Sequence, residues 1–581
     1  MDTLAGLGRW AYPLPATRAH FDLPNILLLL LPLPLHLLSI HLLLRHPRSP
    51  LANALRTGLV LPCTLLASVR AGFGAILPPF EFGPNPGGKD APSWLAYTVG
   101  GVRTEGGWQH FNVAIGIYGA YSIMKALEWG LATQPPRLRP ELLDLVRATE
   151  GKGKSMGPDH LPRFYPGTRI PLGVDLLTNM RGIGWEWGLP YSAGERPSVQ
   201  PARGSEAARK MQAQRAALIR SRLWLALRLF LFVDALDSLL KVPALFGPRA
   251  NIGGPTALGG AATEGLRYEE LPSWAAAMLT LMAGLVIPTS MQATYSLLSA
   301  LALLPAHFFP DSKLVWATNY ADPAYWGVPL LRSPHTSKDL RTLWGTDWHA
   351  LFRAPFLAVA YRPVNNALKA IGLGADVPPS KKPTANGNSA NGNGHDQSHS
   401  KDAAEAKTKE SGAGFWRGHP GKQLRRASSV LAVFFLSGLM HEAGQLAMAR
   451  TPAERDLWRF IGRGEPVLLY APPSASGALK LAYVDRGGRA LAFFVMQGLA
   501  CIVEDVVEMV LKGRRGRKGQ ASGAFGPLEA GLRSLWVAGW IFGWGHYVGK
   551  SWYRMGIAQG AVSLRATGAL VQLLLRATRS R

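Results

Sequence analysis

The chain has 581 residues, of which 48% are hydrophobic and only 17% charged, and its formal net charge is +26. Soluble proteins carry about 25% charged residues, so this composition argues against a large cytosolic enzyme and favours a membrane protein. The basic residues fall mostly in short segments between apolar runs, which predicts membrane topology, and no nucleic-acid-binding module occurs. The two cysteines, Cys63 and Cys501, lie in apolar segments without metal-ligand spacing, so no metal site is predicted.

Apolar runs of about twenty residues, the length that crosses a bilayer, recur along the chain. They are Leu23 to Leu44, Leu51 to Phe73, Phe111 to Leu131, Leu223 to Phe246, Trp274 to Phe309, Leu431 to Met448, Leu491 to Leu511, Leu535 to Gly549 and Gly556 to Leu575. We therefore predict an all-α, polytopic, multi-pass membrane protein with about eight to ten transmembrane helices and additional interfacial helices. The run from Trp274 to Phe309, with Pro288 near its middle, is either one long span or two short ones.

The polar connections divide the chain into five predicted segments. They are N-terminal transmembrane helices (1–132), a basic cytoplasmic loop with the motif RGIGWEWG (133–221), transmembrane helices with an interfacial WGTDWH motif (222–373), a disordered linker (374–425) and C-terminal transmembrane helices (426–581). Residues 380–410 contain hardly any apolar side chains, so they cannot offset the entropy cost of ordering, which predicts the linker.

The apolar run from Leu431 to Gln445 carries His441 and Glu442 in its second half. A charged residue at the centre of a membrane helix costs about 2.5–3.5 kcal/mol on insertion scales, so such a residue is a functional candidate. Ser437 and Gln445 lie one helical turn before and after His441 on the same face, whereas Glu442 is rotated away by about 100°. This polar stripe predicts that the helix lines a tunnel with polar side chains and does not face lipid there. A hydrogen-bonded packing role for His441 stays open at this stage.

A second motif, LRTLWGTDWHALFR, runs from Leu340 to Arg353. Its Trp344, Trp348 and Phe352 recur every four residues, the spacing of one helical face, which predicts an amphipathic helix at the membrane interface. The pattern alone does not decide whether His349 has a further role.

Four segments together resemble a known family. The tract from Ser337 to Arg353 resembles S-L-x-D-F-W-G-R-R-W-H/N of plant and fungal wax synthases, and Leu436 to Glu442 resembles the histidine-bearing segment that follows it. Phe493 to Asp505 is similar to the family's next helix, with its buried acid at Glu504, and Arg181 to Gly188 resembles the Arg-Gly-x-x-Trp motif of fungal members. The chain thus resembles the wax synthase branch of the membrane-bound O-acyltransferases (MBOAT) from about residue 181 to the C-terminus.

One departure from the family tract concerns specificity. Thr346 and Asp347 stand where many members have Arg-Arg, which removes two positive charges that could contact acyl-CoA. The tract from Asp347 to His349 instead resembles Asp-Trp-Trp-Asn of diacylglycerol acyltransferases. The fungal appearance of RGIGWEWG and the linker favour transfer of a short acyl group such as acetyl to a terpenoid or other secondary metabolite. Long-chain wax ester synthesis is the alternative.

The resemblance implies acyl transfer from acyl-CoA, the co-substrate, to the hydroxyl of a lipophilic alcohol, in the endoplasmic reticulum membrane and without a bound cofactor. It implies that His441 is the general base, a role suited to histidine. His349 would donate a hydrogen bond to the thioester oxygen, with Asp347 and Trp348 shaping its surroundings. The expected substrate-binding residues are Trp344, Trp348, Ser437, Gln445, Glu504 and Arg353.

A multispan transporter is the alternative from another functional class, because transporters also place ionisable residues inside membrane helices. Transporter folds are commonly built from internal repeats with broken helices at matched positions. This sequence shows no internal repeat, and its acidic residues do not recur on several spans as an ion path requires.

Overall fold

The computed structural model describes residues 2–13, 19–20, 27–76, 109–140, 142–143, 171–190, 204–240, 272–310, 312, 319–332, 337–348, 351–373, 420–447, 467–470, 481–484, 488–517 and 527–554. These residues are predominantly helical, in agreement with the predicted class. The α-helices are α1 (Asp2–Ala11), α2 (Leu27–Leu30), α3 (Pro32–Arg45), α4 (Pro50–Leu55), α5 (Leu61–Phe73), α6 (Gln109–Gly130), α7 (Leu172–Thr178), α8 (Glu206–Leu240), α9 (Ser273–Phe308), α10 (Pro323–Gly327), α11 (Leu340–Thr342), α12 (Arg353–Phe356), α13 (Arg362–Ala370), α14 (Pro420–Ala447), α15 (Arg489–Arg517) and α16 (Pro527–Arg554).

Shorter elements complete the described fold. Single π-helical turns cover Arg56–Val60, Leu343–Asp347 and Leu357–Tyr361, and a 3₁₀ turn covers Asn319–Ala321. The strands form two small sheets: β1 (Ala19–His20) pairs parallel with β2 (Ala75–Ile76), and β3 (Val467–Tyr470) pairs antiparallel with β4 (Leu481–Val484).

Five helical stretches within the described residues are long and apolar enough to cross a membrane. They are Leu27–Arg45, Pro50–Phe73, Ser273–Phe308, Gly421–Ala447 and Arg489–Leu511. Each overlaps a predicted span, which indicates a helical membrane protein. The predicted spans at 111–131, 223–246 and 535–549 overlap α6, α8 and α16, which are not among these five stretches, and the span at 556–575 lies outside the described residues. The predicted total of eight to ten spans is therefore not confirmed.

The segment that the sequence left as one span or two is a single helix. Helix α9 runs for 36 residues with Pro288 and Pro305 inside it. At 1.5 Å per residue it is about 54 Å long, which exceeds the roughly 30 Å hydrocarbon core of a bilayer. The part of α9 that exceeds this thickness must be accommodated by tilt or must extend beyond the hydrocarbon.

Two of the predicted segment boundaries fall inside helices of the described structure. The boundary between 133–221 and 222–373 falls inside the continuous helix α8, which begins at Glu206. The last six residues of the predicted linker 374–425 are helical, because α14 begins at Pro420. Arginine, lysine and glutamine are good helix formers, so these residues extend both helices beyond their apolar parts.

The predicted interfacial helix at 340–353 is also wrong in its extent. The helix at Leu340 widens into a π-helical turn that ends at Asp347, and Trp348 has extended backbone angles. Trp344, Trp348 and Phe352 therefore do not share the face of one continuous helix. We call residues 337–348 the tryptophan segment.

Small residues let α14 pack closely against its neighbours. A Cβ atom added at Gly438 would lie 2.7 Å from Cα of Leu491 in α15, and one added at Gly116 in α6 would lie 2.6 Å from Cβ of Ala447. Such contacts bring membrane helix backbones together where no hydrophobic effect drives association. They fix the position of His441 between α6 and α15.

Gly438→Ala is expected to destabilise the protein, because the added methyl group has no space against α15. Overpacking of this kind costs about 1–3 kcal/mol. Gly539→Ala in α16 is the matched control, since a Cβ there meets no atom within 4 Å, and removing a helical glycine stabilises by about 0.5–1 kcal/mol. Thermal denaturation followed by size-exclusion chromatography measures both. Equal midpoints for the two variants would contradict the packing argument.

Candidate active site

His441 is held in one ring orientation and one tautomer. Its Nδ1 lies 2.8 Å from the backbone oxygen of Ser437, one turn earlier in α14. A carbonyl oxygen only accepts hydrogen bonds, so Nδ1 of the neutral ring carries the proton and Nε2 keeps its lone pair. The ring of Phe494 covers the imidazole, with centroids 4.3 Å apart and planes tilted by 30°. This arrangement presents Nε2 as a proton acceptor.

Gln445 continues the polar stripe one turn beyond His441. Its side chain is 1% exposed, and neither its amide oxygen nor its amide nitrogen has a hydrogen-bond partner among the described residues. A buried polar atom without a partner costs about 1–3 kcal/mol, so this amide suits a polar group of a ligand. Glu442 faces elsewhere, as predicted, and accepts a hydrogen bond from the backbone nitrogen of Leu491 at 3.0 Å, near the N-terminus of α15.

Glu504 of α15 attaches the tryptophan segment to the membrane helices. Its carboxylate accepts hydrogen bonds from the backbone nitrogens of Leu340, at 2.9 Å, and Arg341, at 3.3 Å, and from the indole nitrogen of Trp536, at 2.9 Å. All three donors belong to the protein. The geometry gives Glu504 a positioning role, while the predicted contact with substrate stays a prediction.

Arg341 forms the second attachment. Its guanidinium binds Asp505 at 2.6 Å and also binds Glu508, one turn further along α15. Burial alone would lower the pKa of Arg341, but the carboxylates of Asp505 and Glu508 outweigh burial and raise it. The sequence analysis did not assign Arg341 a role, because its carboxylate partners Asp505 and Glu508 lie 164 and 167 residues later in the sequence.

Trp344 places the tryptophan segment against Phe494, the ring that covers His441. Its ring centroid lies 6.0 Å from those of Phe434 and Phe494, and Phe494 in turn covers His441. The indole nitrogen donates to Oε1 of Gln497 at 3.4 Å. The indole N–H can only donate, so this contact orients the Gln497 amide with its nitrogen pointing elsewhere.

Gln497 is the polar residue that the sequence analysis missed. Its side chain is fully buried, and its Nε2 has no hydrogen-bond partner among the described residues. It lies one turn from Phe494 on α15, in the otherwise apolar stretch from Phe493 to Cys501. The argument that singled out His441, a polar residue inside an apolar membrane helix, applies equally to Gln497.

Asp347 has structural contacts. Ser337 donates its hydroxyl to Oδ2 at 2.5 Å, Thr346 donates to Oδ1 at 3.3 Å, and the backbone oxygen accepts from the nitrogen of Arg332 at 2.8 Å. These contacts close the turn that ends the tryptophan segment. His349, the predicted hydrogen-bond donor to the thioester, lies outside the described residues, so its role stays a prediction.

Arg353 lies within electrostatic range of Arg139. Burial of part of its side chain, together with the nearby charge of Arg139, lowers the pKa of Arg353. Arg139 donates to the backbone oxygens of Trp185, at 3.2 Å, and Gly188, at 2.8 Å, within RGIGWEWG. Arg181 of the same motif donates to the backbone oxygen of Val328 at 2.7 Å, which gives that arginine a structural role.

No protein-family model matches the chain, and no curated protein matches it. The interpretation of the site therefore depends on its geometry and on the motif resemblance.

The described structure brings part of the predicted site together. Contacts through Phe494 join His441 to Trp344, and Ser437 supplies the carbonyl that fixes the histidine tautomer. Among the described residues, no group of three or more histidine, cysteine, aspartate or glutamate side chains could hold a metal ion.

Proposed function

We propose that the chain is a membrane O-acyltransferase that transfers an acyl group from acyl-CoA to the hydroxyl of a lipophilic alcohol. The observation that carries the proposal is the orientation of His441, whose Nδ1 donates to Ser437 and whose Nε2 is thereby a base, inside an apolar helix. The ordered resemblance of four segments to wax synthases supports the same reaction.

His441 performs the proton transfers in this proposal. Nε2 takes the hydroxyl proton while the alcohol oxygen forms a bond to the thioester carbon, which gives a tetrahedral intermediate. The C–S bond then breaks, and the imidazolium returns the proton to the departing CoA sulfur, so that ester and thiol are the products. An alcohol is a weak nucleophile at neutral pH, and a positioned base contributes typically about 10²–10⁴-fold to such a step.

Gln497 is suited to stabilise the oxyanion of that intermediate. Its Nε2 is buried, its Oε1 is occupied by Trp344, and its neighbour Phe494 covers His441. A donor aimed at developing negative charge in a water-poor site is among the larger contributions to acyl-transfer catalysis.

Gln497→Leu is expected to lower kcat about 10²-fold with little change in KM, since removal of one oxyanion donor typically costs about 10²–10³-fold. Gln292→Leu, which changes a half-buried glutamine of α9, is the matched control and keeps its activity. Initial rates over a range of acyl-CoA concentrations measure both variants. A rise in KM without loss of kcat would remove Gln497 from the chemistry.

Arg353 is suited to contact a phosphate of coenzyme A. It is exposed, and its neighbour Arg139 adds a second guanidinium. Charge-assisted hydrogen bonds to phosphate are about twice as strong as neutral ones, and arginine forms them in pairs. This surface would bind the polar part of acyl-CoA while the acyl chain enters the membrane part.

The test uses microsomes that contain the full chain, supplied with labelled acetyl-CoA or palmitoyl-CoA and a panel of terpenoid, sterol and long-chain alcohols. Ester formation above that of microsomes without the chain is the expected result. A preference for acetyl-CoA with terpenoid alcohols supports metabolite capping, and a preference for palmitoyl-CoA with long-chain alcohols supports wax ester synthesis. The absence of ester from every pair, with the chain present at normal amounts, would overturn the proposal.

A further inference from the structure

A second group of buried polar atoms lies between α3, α6 and the tryptophans of RGIGWEWG. The side chains of His36, Ser39, Tyr121, Trp129 and Trp187 each contain a buried nitrogen or oxygen without a hydrogen-bond partner among the described residues, and the paired side chains of Lys125 and Glu128 lie beside them. We call this group the lysine chamber. It adjoins the His441 site, since Tyr121 packs against Met440, but it uses different polar atoms, and the sequence analysis assigned none of its residues a function.

Lys125 stands at the centre of the lysine chamber. Its Nζ lies 2.9 Å from Oε2 of Glu128, and both side chains are buried. The same Nζ lies 4.5 Å from the ring centroid of Trp129, 5.6 Å from that of Trp187 and 5.9 Å from that of Tyr121. The ion pair and the aromatic faces together compensate the lysine charge. The chamber therefore needs no further anion.

A chain of hydroxyl groups fixes the hydrogen-bonding role of His36. Ser68 donates its proton to the backbone oxygen of Thr64 at 2.7 Å, so its Oγ accepts from Ser122 at 2.7 Å. The proton of Ser122 is thereby used, and its Oγ, 2.9 Å from Nε2 of His36, must accept from that nitrogen. In the neutral ring Nδ1 is then an acceptor, and it is one of the chamber's atoms without a partner.

The chamber thus combines one imidazole acceptor with several donors. The indole nitrogens of Trp129 and Trp187 can only donate, and the hydroxyl of Tyr121 can donate or accept. A hydroxyl group satisfies both kinds of partner, because it donates one hydrogen bond and accepts two. A carboxylate would leave Nδ1 of His36 unpaired and would add a negative charge beside Glu128. A hydrocarbon would satisfy none of these atoms.

We propose that the lysine chamber binds the hydroxyl head of a lipid-soluble alcohol, with the hydroxyl donating to Nδ1 of His36 and accepting from an indole or phenol donor. The aromatic rings form the walls against which the adjoining hydrocarbon packs. The polar atoms of this site are not those of the His441 site, and the proposal does not depend on acyl transfer.

The test uses the purified full chain in nanodiscs and a photoreactive diazirine analogue of hexadecanol, with cross-links mapped by peptide mass spectrometry. The expected result is labelling of peptides from Leu27–Arg45 and Gln109–Gly130 that excess hexadecanol prevents. Probes of the same length that end in a methyl group or a carboxylate should label these peptides weakly. Equal labelling by the methyl-ended probe, or stronger labelling by the carboxylate probe, would overturn the proposal.

A pair of variants separates binding from folding. His36→Gln places an amide where Nε2 bonds Ser122 but removes the acceptor at Nδ1, so labelling should fall about tenfold, as expected for loss of one buried hydrogen bond. His41→Gln, five residues further along α3 at an exposed position, should label as the native chain does. Trp187→Phe, which keeps a ring but removes the N–H donor, provides a second variant if His36→Gln does not fold. Native-level labelling in a folded chamber variant would contradict the assignment.

Discussion

His441→Ala is expected to lower kcat for ester formation by about 10²–10⁴-fold, the typical contribution of a positioned general base. The expectation rests on the tautomer that Ser437 imposes and on the ring position that Phe494 fixes, since both place Nε2 ready to accept a proton. The substitution removes the base without removing a bond that holds two helices together, because the histidine bonds only its own helix in the described structure. The protein should therefore still accumulate in membranes, and KM should change little.

His546→Ala is the matched control for this prediction. His546 also bonds a backbone oxygen of its own helix, that of Gly543, through Nδ1 at 2.7 Å, but it lies exposed on α16. Its loss should leave kcat unchanged. Ester formation that persists in His441→Ala would move the search for the base to His349. A rate that falls equally in both variants would indicate a general loss of structure and would contradict a specific role for His441.

The sequence predicted the helical class and the polar face of α14 because both follow from local periodicity. His441, Ser437 and Gln445 share a face at any α-helical geometry, and Glu442 must then point elsewhere, as observed. The same reasoning could not supply the partner of Glu442, because Leu491 lies 49 residues away in the sequence. Long-range hydrogen bonds leave no periodic signal.

The tryptophan segment shows where local reasoning failed. Regular spacing of Trp344, Trp348 and Phe352 predicted one amphipathic face, but a π-helical turn and an extended Trp348 end the helix before that face is complete. The reason is tertiary: Glu504 bonds the first backbone nitrogens of this helix, and Trp344 inserts among aromatic rings of α14 and α15. Contacts with α14 and α15, and not the amphipathic sequence pattern, therefore determine where this helix ends.

His36 shows the same limit. The sequence shows no functional signal for it, because no acidic residue lies near it in the first span. Its relevant neighbours, Ser122 and Lys125, come from α6, almost ninety residues later. A polar residue in a membrane span remains ambiguous until the opposing helix is known.

Glu504→Ala is expected to cost about 2–4 kcal/mol of stability and to reduce ester formation strongly. The substitution leaves the backbone nitrogens of Leu340 and Arg341 and the indole nitrogen of Trp536 without their acceptor. Each unsatisfied buried donor costs about 1–3 kcal/mol, and water relieves part of this cost at a half-buried site. Because the tryptophan segment then loses its backbone hydrogen bonds to α15 and keeps the Arg341 ion pairs, Trp344 and the Gln497 amide that it orients are held less firmly.

Two further variants serve as controls and show how the loss of stability depends on the number of hydrogen bonds removed. Trp536→Phe removes only one of the three donors, so its denaturation midpoint should fall much less than that of Glu504→Ala. Glu504→Gln keeps one acceptor oxygen and should lie between the two. Denaturation midpoints, kcat and the KM for the alcohol, measured on the same preparations, decide whether Glu504 positions the tryptophan segment or contacts the substrate. Normal stability in Glu504→Ala with a raised KM for the alcohol would contradict positioning, because that result requires Glu504 to contact the substrate.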